Sequence, residues 1–199
     1  MKKWILFGIL AGIAVIVVLF GRKSIYTRDL TLAHHTAKGF RNPYPSYTNY
    51  RPGDFFKWTI VERIRGVKPE KPDTYSFETV ENDGAFLREN SSEFTVTWIG
   101  HSTLLIQMDG KNILTDPVWS DYSSPLQFVG PKRYVPPGIR FEDLPEIDYV
   151  VISHDHYDHL DKNTVKRLGD TPEYFVPLGV GNFLKKQGIM RIHELDWWE

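Results

Sequence analysis

Val150-Val151-Ile152-Ser153-His154-Asp155-His156-Tyr157-Asp158-His159-Leu160-Asp161 is the stretch whose reading decides the fold. It opens on a short apolar run suited to a strand covered on both faces. The polar part follows at once, where open α/β folds expose residues to a ligand crevice. Three of the seven histidines fall here, in the order His-x-His-x-Asp-His. His154 and His156, two apart in extended chain, point the same way and can share one metal ion. Asp158 and His159 lie where the chain approaches a helix and can aim at a second. The chain has no cysteine, so any metal must be held by imidazole and carboxylate. Zn²⁺ accepts such N and O ligands while keeping a position for water.

Upstream of this motif the pattern has a period of two. Phe94, Val96 and Trp98 alternate with Thr95 and Thr97, which predicts a strand. Leu104-Leu105-Ile106 and Asn112-Ile113-Leu114-Thr115 flank Asp109-Gly110, which predicts a hairpin. Downstream, helices are expected over 161–168 and 179–187 and strands over 173–176 and 190–195. Hairpins followed by β-α-β-α-β predict a layered α/β domain.

The motif His154-x-His156-x-Asp158-His159 resembles the signature of the metallo-β-lactamase fold hydrolases. Within them the chain is similar to the N-acyl-phosphatidylethanolamine-hydrolysing phospholipase D family. The similarity runs over roughly 39–199 and includes Gly39-Phe40-Arg41-Asn42-Pro43-Tyr44-Pro45, Thr97-Trp98-Ile99-Gly100-His101-Ser102-Thr103, Leu114-Thr115-Asp116-Pro117, Gly130-Pro131-Lys132-Arg133, Phe175-Val176-Pro177-Leu178-Gly179 and Glu194-Leu195-Asp196-Trp197-Trp198-Glu199. The resemblance implies an αββα sandwich, of which only the first half is expected here, with one sheet face left open. It also implies two zinc ions, one on His154 and His156 and the other on Asp158 and His159, with Asp158 also placed to accept a proton from the attacking water. Asp116 would be a carboxylate bonded to a ligand histidine, and His101 either lines the site or satisfies backbone groups. The implied reaction releases N-acylethanolamine from phosphatidic acid at a phospholipid surface.

Charge divides the chain. Residues 1–66 carry 11 basic and 3 acidic side chains, whereas residues 67–199 carry 13 and 22. The acidic balance of the larger part argues against a nucleic-acid substrate. Residues 1–22 are expected to be a membrane anchor, because Trp4 to Phe20 is an uncharged apolar run with no small-residue cleavage site after it. The flanking charges favour a single-pass protein with its C-terminal domain on the cytoplasmic face. Residues 23–66 read as a basic, Pro/Tyr-rich connector carrying a short amphipathic helix from Asp54 to about Arg65, with Phe55, Trp58, Val61 and Ile64 on one face. Residues 67–199 read as the first part of the hydrolase domain.

Other polar groups have blander expectations. His34-His35 is read as a surface pair, His193 as packed or hydrogen-bonded, Asp155 and Tyr157 as scaffold or rim, and Trp197-Trp198 as core or pocket wall. Two alternative functions stand beside the phospholipase D reading: another hydrolase of the same fold, such as a lactonase or phosphodiesterase, and a non-catalytic metal-binding protein.

Overall fold

The computed structural model describes residues 29–37, 39–44, 53–54, 57–67 and 78–199. The chain divides into two compact units, one of them Tyr26–Tyr75 and the other containing Ser76–Glu199.

In the smaller unit, β1 (His35–Thr36) pairs antiparallel with β2 (Gly39–Phe40). His35 is buried rather than on the surface: its Nδ1 accepts from the Asp29 N–H at 3.1 Å and its ring meets Phe40 edge-on. The expected helix over 54–65 is instead a wide helical turn at Lys57–Val61 followed by α1 (Glu62–Ile64). The amphipathic stripe is not buried at Ile64, which is 81% exposed, and Phe55 lies outside the described residues.

In the larger unit, α2 (Ala85–Glu89) precedes a six-stranded mixed sheet: β3 (Thr95–Gly100), β4 (Thr103–Met108), β5 (Lys111–Thr115), β6 (Tyr149–Val151), β7 (Glu173–Pro177) and β8 (Ile192–Leu195), in that spatial order. The first three strands are antiparallel. Their Asp109-Gly110 turn has φ of 50° and 69°, the positive pair that a two-residue hairpin with matching strand twist requires. The last four, β5 to β8, are parallel, so each of their three connections must be a crossover. These include α3 (Lys162–Leu168), whose N-terminus the Asp161 side chain caps, and α4 (Gly181–Lys185). Glu194 holds the start of α4 by accepting from the Gly179 and Gly181 N–H groups at 2.7 and 2.8 Å.

The strand registers separate the two sheet faces. Leu105, Leu114, Val150 and Tyr174 lie side by side, fully buried, and join Val165, Leu184 and Ile189 in one core. On the opposite face Trp98, Leu104, Thr115, Val151 and Phe175 align, with Trp98 68% and Val151 40% exposed. One face is therefore packed and the other half open. Trp197 and Trp198, expected in a core or pocket wall, are 49% and 99% exposed. His193 matches its expectation, with Nε2 2.9 Å from Glu173 Oε2 and its ring stacked on Phe175.

The expected single-pass membrane localisation is corrected. Among the described residues no helix is long and apolar enough to cross a membrane, and the expected anchor at 1–22 lies outside them.

The asymmetry of the two faces predicts unequal mutational costs. Leu114→Ala, at a fully buried site, should lower the unfolding free energy by about 2–5 kcal/mol. Val96→Ala, on the open face, should lower it by less than about 1 kcal/mol. Urea denaturation of both variants checks the contrast.

Candidate metal centre

Topology brings the site together. Strands β5 and β6 are parallel neighbours, so their carboxyl ends lie side by side, and the Asp116 N–H donates to the Val151 carbonyl at 2.9 Å. Strand β4 runs opposite to β5, so the turn joining β3 to β4 lies at the same end. That turn carries His101, a non-glycine residue at φ 52°, whose carbonyl accepts from Trp98 Nε1 at 2.9 Å. Sparsely populated backbone of this kind persists only where neighbouring contacts hold it, and it clusters at functional sites.

The motif folds as a tight loop between β6 and α3. The His159 and Leu160 N–H groups both donate to the His156 carbonyl, and Leu160 is fully buried beneath the loop. Asp161 closes it. This carboxylate is 4% exposed and accepts from Asn163 N, Thr164 Oγ1, Ser120 N and Ser120 Oγ at 3.0, 2.5, 3.0 and 2.9 Å. Asp161 therefore caps α3 and ties the segment after Asp116 to the loop. Arg133 secures the same segment from the far side, donating from Nη2 to the Val118 carbonyl at 2.7 Å.

The four expected ligands converge. The His154 and His156 rings are 4.6 Å apart between centroids, and the His154 and His159 rings 4.0 Å. His101, read from sequence as either lining the site or satisfying backbone groups, reaches the cluster: its Nε2 lies 3.1 Å from Asp158 Oδ2, and its ring meets His159 edge-on at 5.1 Å. His101, Asp158 and His159 each offer a ligand atom, all within 4.8 Å of one another. Asp155 is exposed and Tyr157 half-buried. Burial, reinforced by the neighbouring His159 and His156 imidazoles, holds the His154 pKa below its ordinary value. A neutral imidazole is the form that binds a cation, so this donor set fits a divalent metal of borderline character.

Asp116 sits behind these groups, 7% exposed and at φ 37°. Its Oδ1 accepts from the Ser153 N–H at 2.7 Å. Its Oδ2 accepts from Ser153 Oγ at 2.8 Å and lies 2.9 Å from His159 Nδ1. A carboxylate only accepts, so His159 Nδ1 carries a proton, which in the neutral imidazole leaves the Nε2 lone pair free for a cation. The structure thus contains a hydrogen bond between Asp116 and His159.

Removing that carboxylate should free two side chains together. Asp116→Ala should weaken metal binding by about 10–100-fold. Competition with a chromophoric chelator measures this, and unchanged affinity would show that Asp116 does not orient the site.

Residues 111–199 match a family described as "Beta-lactamase superfamily domain". Over 188 residues, 87% of this chain and 52% of the relative, the sequence is 41% identical to N-acyl-phosphatidylethanolamine-hydrolyzing phospholipase D 1 of Caenorhabditis elegans. It is 44% identical over 144 residues, 70% of this chain and 37% of the relative, to an uncharacterized protein of Mycobacterium tuberculosis. Among solved structures, the diiron β-hydroxylase CmlA of Streptomyces venezuelae aligns at 27% identity and a TM-score of 0.41, covering 55% of this chain and 22% of that one. The chain spans about half the length of the C. elegans relative. Residues 111–199 carry a β-lactamase superfamily domain on an α/β fold with a mixed sheet, and the chain resembles the N-acyl-phosphatidylethanolamine-hydrolysing phospholipases D.

Proposed function

We propose that the protein is a zinc-dependent phosphodiester hydrolase of phospholipase D type, acting on N-acylphosphatidylethanolamine. The observation that carries this reading is the convergence of His101, His154, His156, Asp158 and His159 at one end of the sheet, in a chain similar to a protein named for that hydrolysis. His154 and His156 would hold one ion, and Asp158 and His159 the other. Bound zinc would make water more acidic and neutralise the phosphoryl oxygens. Asp158 Oδ2, on a side chain 40% exposed, would take the proton of the attacking water. His101 Nε2, 3.1 Å away, would orient that carboxylate. The water oxygen forms the new bond to phosphorus, the bond from phosphorus to the ethanolamine oxygen breaks, and the proton passes to that oxygen. The products are phosphatidic acid and N-acylethanolamine.

The aligned face of Val96, Trp98 and Val151 supports an αββα sandwich, in which a second sheet covers such a surface.

Zinc-loaded protein incubated with N-acylphosphatidylethanolamine in detergent micelles should release N-acylethanolamine and phosphatidic acid in equal amounts, measured by mass spectrometry. Asp158→Asn should lower turnover at least about 100-fold. Zinc binding without release of these products would sink the substrate assignment. Turnover of a lactone or another phosphodiester would then favour a different hydrolase of the same fold.

A further inference from the structure

We propose that Ser153 is a positioning residue that relays the Asp116 carboxylate to His154 and fixes the proton on His154 Nδ1. The inference rests on the reading of His154 as a metal ligand but not on the identity of the substrate.

The argument is a count of protons. The Ser153 hydroxyl has one hydrogen to give and two lone pairs with which to accept. It makes two close contacts, to Asp116 Oδ2 at 2.8 Å and to His154 Nδ1 at 2.9 Å. The carboxylate can only accept, so the single hydroxyl hydrogen goes to Asp116. Toward His154 the same oxygen can then only accept. His154 Nδ1 must therefore be the protonated nitrogen, and Nε2 keeps the lone pair that a metal requires. His159 Nδ1, 3.4 Å from the same hydroxyl, already has its acceptor in Asp116 Oδ2 at 2.9 Å.

One buried carboxylate consequently sets two imidazoles, His159 directly and His154 through a single hydroxyl. Sequence places Ser153 next to His154, but nothing local to that pair shows which way the hydroxyl points. The direction is set by Asp116, 37 residues earlier in the chain. The backbone contributes a second, separable tie, since the Ser153 N–H donates to Asp116 Oδ1 at 2.7 Å. Replacing the side chain leaves this tie in place, so the relay can be removed without releasing the loop from β5.

The test compares the parent chain with Ser153→Ala and Ser153→Thr. Long-range ¹H–¹⁵N correlation of the metal-free protein reads the tautomer. In the parent chain His154 should carry its proton on Nδ1, and in Ser153→Ala the resonances should move toward a mixture of both tautomers. Chelator competition with Zn²⁺ should give an affinity about 10–100-fold weaker for Ser153→Ala, with Ser153→Thr restoring most of the loss because its hydroxyl can make the same two contacts. A parent chain with the proton on His154 Nε2 would overturn the proposal, as would parental zinc affinity in a folded Ser153→Ala protein. Should Ser153→Ala fail to fold, the tautomer of the parent chain decides alone. None of these readouts involves turnover, so failure of the lipid assignment leaves them unchanged.

Discussion

The structure depends on where the Asp116 carboxylate can find its hydrogen bonds. A carboxylate that is 7% exposed must be met by donors, because an unpaired buried charge carries a desolvation cost of several kcal/mol. The donors available are the Ser153 N–H, the Ser153 hydroxyl and His159 Nδ1, all on the segment that leaves β6. Meeting them draws that segment across the end of β5 and turns the histidines to one side. Thr103, also fully buried, braces the arrangement from below by donating to the Asp116 carbonyl at 2.7 Å. Each hydrogen bond to a charged group contributes about 1.5–3 kcal/mol, enough to offset the left-handed backbone at Asp116, which costs about 1–3 kcal/mol.

The sheet supplies what this constraint needs. Parallel pairing of β5 with β6 sets two carboxyl ends side by side, and antiparallel pairing of β3 with β4 returns a turn to the same edge. His101 therefore arrives opposite Asp158 across 57 residues of sequence. Asp161 works from the other end of the motif, where one buried carboxylate satisfies both the start of α3 and the segment 119–120. The loop is thus fixed at both ends by acidic groups that are not themselves in the ligand set. That arrangement holds a cluster of cation-binding side chains in place even though three imidazoles crowd one another.

Much of this was legible in the sequence because its causes are local. The Asp109-Gly110 turn, the alternation of β3 and the spacing of the His/Asp motif each depend on residues a few positions apart. The contacts that were not legible are those made over distance. Nothing near His101 announces Asp158, and nothing near Ser153 gives the direction of its hydroxyl. His35 is buried by the Phe40 ring and the Asp29 N–H, partners that a histidine pair in a basic segment does not advertise. The helix expected over 54–65 rests on a cap at Asp54 and on three-residue apolar spacing, both local, and Ile64 of that stripe is 81% exposed. Trp197 and Trp198 read from sequence as core or pocket wall, yet they are 49% and 99% exposed.

The central claim is that one acidic residue behind the motif turns the Nε2 atoms of His154 and His159 toward the metal centre. Anomalous diffraction at the zinc absorption edge, from crystals of zinc-loaded protein, tests it most directly. The account predicts zinc density bound by Nε2 of His154 and of His159, with His156 and the Asp158 carboxylate also in the ligand set and Asp116 outside it. Zinc bound elsewhere, or held through His154 Nδ1 or by Asp116 itself, would contradict it.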